Sequence, residues 1–223
     1  MSAGAPPADL TDFAHPCVRV AVDNRHMDVS ALTASWEERW PESRPIGHEL
    51  RYALFDRWVR FHSLPESKRV PDSEAEYAEV YRRHVTVLTE LIDGTQRSLD
   101  QDVLVITVSW SSTGKPVRRA RHLRRRLKAT YWRSILEDQA DDGEEWWIHL
   151  FVSNVRVASR SMSRLLRLVA DDRTAEVIIT DPDLTWLYLP YDGGADVIAP
   201  SDVTRDELWR RHQDWLSTHP TGM

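Results

Sequence analysis

Between Phe61 and Arg69 the chain sets His62, Ser63, Glu66, Ser67, Lys68 and Arg69 within one short stretch, FHSLPESKR. A hydroxyl beside an imidazole is the raw material of nucleophilic catalysis, in which the histidine takes the proton of the attacking oxygen. Serine next to lysine suggests Ser/Lys hydrolase chemistry, and Lys68 with Arg69 ahead of a helix N-terminus suggests anion binding. The spacing argues against the two catalytic readings. Trp58, Val59, Arg60 and Phe61 alternate as a strand does, and strand neighbours point to opposite faces, so His62 and Ser63 should diverge. Ser67 and Lys68 lack the spacing that lets two such side chains meet. Pro65 breaks the strand, so the stretch reads first as a polar exit loop. Its six ionisable or hydroxyl residues stand as a candidate polar site, with no catalytic residue assigned.

A second concentration of charge is Lys115, Arg118, Arg119, Arg121, Arg124, Arg125, Arg126 and Lys128. With Arg133 it makes nine cations and no Asp or Glu between Lys115 and Arg133, which leaves a formal −15 on the rest of a chain whose net charge is −6. Such density could hold phosphates by charge alone, and Tyr131 and Trp132 could stack on bases. Helix-turn-helix and zinc-finger spacings are absent, and the overall balance is acidic. The eight residues are therefore a candidate surface for an anionic partner. A protein with an acidic surface is the expected partner, and nucleic acid bound through residues 115–133 is the alternative.

The remaining candidates read as structural. Tyr191-Asp192-Gly193-Gly194-Ala195-Asp196 places carboxylates around glycines, but the twelve-residue calcium loop and its terminal Glu do not fit, and Asp-Gly is ordinary hairpin chemistry. His84 and His212 lie on apolar helical stripes, where a hydrogen-bonded core histidine is commoner than a ligand. His48-Glu49 lacks the second histidine of a zincin, and Cys17 is the single cysteine, so neither a metal nor a disulfide is expected. The chain has no Walker loop, no dinucleotide glycine fingerprint and no Gly-x-Ser-x-Gly elbow, and no cofactor is implied.

The elements that must position these groups follow from periodicity. Residues 1–16 read as a loose tail and 17–223 as a single domain, with a short strand over Val18–Val22. Asp28 caps a helix with the stripe Leu32, Trp36, Trp40, which Pro41 ends. Pro45 to Gly47 reads as a turn and Tyr52 to Phe61 as a strand. Ser73 with Glu76 forms a capping box for a helix running to Gly94. Val103 to Val108 is a strand covered on both faces, followed by strands over Thr130–Leu136 and Trp146–Val152 around an acidic turn from Asp138 to Glu145. Met162, Leu165, Leu166 and Val169 mark a helix, and three strands over Glu176–Thr180, Trp186–Leu189 and Ala195–Ile198 form a meander. Thr204 with Glu207 caps a last helix. The expected architecture is α+β, a mostly antiparallel mixed sheet with packed amphipathic helices.

Composition agrees with a folded domain: 41% hydrophobic and 29% charged residues over 223 positions, with ten tryptophans to supply buried area. No apolar run approaches the roughly 20 residues that cross a bilayer, and the first residues lack the pattern of a secretory signal. A cytoplasmic protein without membrane association is the expectation.

The strings FHSLPESKR, Glu76-Tyr77-Ala78-Glu79-Val80, Trp186-Leu187-Tyr188 and Tyr191 to Val197 (YDGGADV) resemble a group of uncharacterised actinobacterial proteins. More distantly, the chain is similar to a bacterial domain of unknown function of the DUF3885 type. The resemblance spans roughly residues 30 to 220, leaves out Lys115 to Lys128, and brings no activity, catalytic residue or cofactor with it. It implies one bacterial domain. The function expected is that of a non-enzymatic binding protein, such as an immunity or accessory factor. The alternative is a hydrolase or transferase acting on a phosphorylated or nucleotide substrate through His62, Ser67, Lys68 and Arg69.

Overall fold

Val103 to Val108 carries an apolar side chain at every position but Thr107, a pattern that is stable only where both sides of a strand are covered. It forms the middle of strand β2 (Asp102–Ser111), whose residues 103–109 are all buried. The computed structural model describes residues 27–95, 102–139 and 143–216. The expected tail, the strand over Val18–Val22 and Cys17 lie outside the described residues, as do positions 140–142 of the acidic turn.

Around β2 lie β1 (Trp58–His62), β3 (Thr130–Gln139), β4 (Glu145–Arg156), β5 (Ile178–Thr180), β6 (Leu187–Tyr191) and β7 (Gly194–Ile198). They form one sheet in the order β1-β7-β6-β5-β2-β4-β3, with every neighbouring pair antiparallel. Helices cover both faces. On one, Val59, Phe61, Val105 and Val197 pack with α3 (Glu74–Gly94), α5 (Arg160–Ala170) and α6 (Asp202–Arg211) through Leu88, Leu165 and Leu208. On the other, Trp58, Leu104, Ile106 and Leu150 pack with α1 (Val29–Arg39) and α2 (Gly47–Ala53) through Leu32, Trp36 and Leu50. The fold is α+β, with helices on both sides of an antiparallel sheet.

Local signals predict most of these elements. Asp28 caps α1 by accepting from the backbone N–H groups of Ser30 and Ala31, both at 3.0 Å. Ser73 caps α3 through Glu76 N–H at 3.3 Å, while the Glu76 carboxylate accepts from Asp72 N–H rather than from Ser73. The capping box therefore closes one residue early. Ser73→Ala is expected to cost about 1 kcal/mol and lower Tm by roughly 2–4 °C, readable by calorimetry.

Three expectations need correction. The strand expected over Tyr52–Phe61 starts only at Trp58, because residues 47–53 form α2 and 55–57 a 3₁₀ turn. Gly47, read as the end of a turn, opens α2, where a β-carbon would stand 2.9 Å from Glu176 Oε2. The cap of α6 is Ser201, which accepts from Thr204 N–H at 3.1 Å; Thr204 and Glu207 lie inside the helix. Ser201 and Thr204 both carry a hydroxyl able to cap, and the helix begins early enough that Ser201 serves.

Candidate functional site

Because β1 alternates, Arg60 and His62 project from the sheet face that carries α2, whereas Phe61 and Ser63 project to the opposite face. On the α2 side a cleft of about 380 Å³ opens between α2, the loop after β1 and the ends of β6 and β7. His48 and Arg51 of α2 line it, with Arg60 and His62 of β1, Ser67 and Arg69 of the loop, Glu176 and Val177 before β5, and Tyr191, Gly193 and Asp196 of the β6–β7 hairpin.

Arg60 is the fixed point. Strand pairing sets it opposite Asp196, and the two form a bidentate pair at 2.7 and 2.8 Å, with side chains only 13% and 9% exposed. Its guanidinium also lies 5.4 Å from the Trp58 ring and 5.1 Å from that of Tyr191, within the range of cation–π attraction. Burial pushes the Tyr191 phenol up to about 12, so it stays protonated at neutral pH. Arg69 is held at the rim by both oxygens of Asp192, at 2.9 and 2.6 Å. His48 Nδ1 lies 3.0 Å from Glu176 Oε1, and Glu176 Oε2 accepts from His48 N–H.

Two lining groups are left over. Arg51 donates to the Tyr52 hydroxyl at 2.7 Å, but its Nε is buried without a partner, and among the described residues no carboxylate pairs with it. Among the described residues neither ring nitrogen of His62 has a well-aligned hydrogen-bond partner, although both are buried. Burial and the nearby charges of Arg60 and Arg83 hold the imidazole below its ordinary pKa, against the pull of the Gly193 backbone. The charged form is disfavoured, and the ring is neutral at pH 7. The wall is also strained: Ser67 and Glu176 both have left-handed backbones, with φ 58° and 53°, and Glu66 beside them has φ 56°.

The sequence-predicted polar site is therefore divided. His62, Ser67 and Arg69 meet in the cleft. Ser63, 2% exposed, turns to the other face and shares a hydrogen bond of 3.3 Å with His84 Nε2, while His84 Nδ1 lies 2.5 Å from the Tyr188 hydroxyl. Lys68 pairs with Asp72 at 2.8 Å and Glu76 at 2.6 Å, outside the cleft, and Glu66 is exposed at the turn. His62 and Ser63 diverge as the alternation requires. His84 and His212 are buried and hydrogen-bonded, His212 to Glu90 at 3.1 Å.

Asp192-Gly193 is the two-residue link of the β6–β7 hairpin, and Gly194 is dictated by close approach, since a β-carbon there would lie 2.1 Å from the Phe61 carbonyl oxygen. Arg51, Glu176 and Asp196 carried no sequence signal as a group. The one legible sign was a pair of ionisable residues, Arg60 and His62, two apart on a strand, which puts both on one face.

The basic segment is divided too. Arg119 is 5% exposed and donates to the Thr107 hydroxyl at 2.7 Å and the Leu127 carbonyl at 2.8 Å. Burial, with Arg124 nearby, lowers its pKa to about 10. Leu123 and Leu127 enter the core and anchor the segment, which forms the one-turn helix α4 (Arg121–Arg124). The other seven cations, Lys115, Arg118, Arg121, Arg124, Arg125, Arg126 and Lys128, are exposed.

Among the described residues no group of three or more His, Cys, Asp or Glu could hold a metal ion, and no helix is long and apolar enough to cross a membrane. No curated protein and no solved structure matches the chain. Residues 46–220, a span that includes the cleft and the basic segment, match the family described as a domain of unknown function (DUF3885). The chain belongs to the DUF3885 family.

Proposed function

We propose that this chain is a binding domain that captures an anionic group in the α2–β1–β7 cleft. The observation that carries the reading is the pairing pattern there: the other arginines and His48 already have carboxylate partners, while among the described residues Arg51 has none and neither ring nitrogen of His62 makes a well-aligned hydrogen bond. An incoming carboxylate or phosphate would satisfy Arg51 by charge, and a polar atom beside it would satisfy the imidazole. The volume suits a small molecule or the end of a larger one. Tyr52 on α2 and Phe55 in the turn after it, 65% and 61% exposed, offer aromatic area to a protein that presents such a group on an acidic side chain.

The test is a thermal-shift screen with inorganic phosphate, nucleotides and dicarboxylates. A true ligand at a hundredfold excess over Kd should raise Tm by roughly 5–10 °C. Arg51→Gln should abolish that rise while leaving the unliganded Tm within about 2 °C, as expected of a replacement at a site without an ion pair. A screen with no shift, or a shift that survives Arg51→Gln, rejects the reading.

One observation favours chemistry as the second reading: a neutral histidine in a cleft that also holds Ser67 is a competent general base for a phosphorylated substrate. Lys68, engaged by two carboxylates elsewhere, is not part of that reading. Recovering the bound ligand chemically unchanged after prolonged incubation decides for binding, and turnover lost in His62→Gln decides for catalysis.

A further inference from the structure

The exposed cations of the basic segment do not stand alone. Ser161, in the first turn of α5, donates to the Arg126 carbonyl at 3.5 Å, and His122 Nε2 donates to the Arg173 carbonyl at 3.1 Å. These contacts lay the segment alongside α5 and the loop after it, where Arg160, Arg164 and Arg173 are exposed. Among the described residues none of the segment's seven exposed cations, nor Arg160, Arg164 or Arg173, forms an ion pair with a carboxylate. Arg160 and Arg164 are four residues apart and so share one side of the helix.

Uncompensated cations placed side by side repel one another and cost stability, so a partner that neutralises them gains both attraction and relief. We infer that this composite face, the basic segment together with α5, binds the phosphate backbone of a nucleic acid.

Two features favour phosphates over an acidic protein. Eight of the ten cations are arginines, whose planar forks grip phosphate oxygens in bidentate fashion. Protein interfaces draw most of their energy from buried aromatic or large apolar anchors, yet the most exposed rings, Tyr52, Phe55, Trp146 and Trp209, belong to α2, the turn after it, β4 and α6. Nearer the segment the exposed apolar groups are Trp110 at the end of β2, Val117 and Tyr131, 41%, 40% and 39% exposed. Tyr131 leans on Phe151, the ring beneath Arg119, and so presents a flat surface for an unpaired base. Contacts to phosphates carry no sequence information, so binding should be indifferent to sequence.

Fluorescence anisotropy with a labelled 20-nucleotide RNA and a 20-base-pair DNA duplex tests this in the full chain. Binding at 50 mM salt should weaken roughly 10²–10³-fold by 200 mM, as release of counterions from about five phosphates requires. Arg118→Gln/Arg121→Gln/Arg125→Gln removes exposed guanidinium groups that make no side-chain hydrogen bond among the described residues, and should lower affinity at least tenfold. Arg160→Gln/Arg164→Gln on α5 should do so severalfold, which a site confined to the segment would not show. Arg51→Gln in the cleft should leave nucleic-acid binding unchanged, so failure here and failure of the cleft reading are told apart. A preference between the two probes identifies single strand or duplex as the natural form. No binding at 50 mM salt, no effect of the α5 variant, or competition by polyglutamate equal to that of RNA at matched charge overturns the inference.

Discussion

Asp196→Ala should destabilise the protein by about 3–5 kcal/mol, the range expected when one partner of a mostly buried ion pair is removed and the other is left without compensation. Arg60 has few alternatives. It is held between Trp58 and Tyr191, and the carboxylate opposite it is the only one it bonds among the described residues. Replacing both members by apolar residues of similar volume, Arg60→Met with Asp196→Leu, removes the stranded charge and should recover most of the loss. Urea denaturation of the two single variants and the double variant gives the coupling directly. A double variant as unstable as the sum of the singles would mean that the pair contributes little beyond packing. The same cycle bears on the cleft, because Arg60 and Asp196 both line it.

Acid should act mainly through His84. The ring is enclosed beside Ser63 and Tyr188, and burial lowers its pKa to about 4, so the folded protein holds it neutral. In the unfolded chain it titrates near its ordinary value of about 6.5. A histidine whose pKa is depressed on folding binds fewer protons when native, so its contribution to stability is complete above about pH 6.5 and is lost as pH falls toward 4. The shift corresponds to roughly 3 kcal/mol. Glu79 continues the trend at lower pH, because Arg82 and then Arg83 hold its carboxyl at about 2. That stability is present above the ordinary carboxylate pKa of about 4.5 and is lost as pH falls from there toward 2. The check is the stability difference between wild type and His84→Met. It should move against the wild type by roughly 3 kcal/mol between pH 7 and pH 4, and a difference that stays constant would show that His84 is not the group responsible.

Element identity was legible where the signal was local. The caps at Asp28 and Ser73, the apolar run of β2 and the glycines of the β6–β7 hairpin each act within a few residues, so the chain declares them wherever they are placed. The same holds for the divergence of His62 and Ser63, which is a property of any strand. Helix α2 was not legible: Gly47 opens it, its seven residues carry too short a stripe, and its first turn is supported by Glu176 from 128 positions away.

What the amino-acid order determined by itself was the α+β class, most of the elements and the concentration of charge between Lys115 and Lys128. Tertiary structure alone decided which charges work together. Antiparallel pairing set Arg60 against Asp196 and carried Arg51, Glu176 and Tyr191 to the same cleft, while burial withdrew Arg119 from the basic surface and α5 added Arg160 and Arg164 to it. The physical reason is range: caps and periodicity act over a few residues, whereas the partner of a charge is fixed by strand register and helix packing, which close loops of more than a hundred residues.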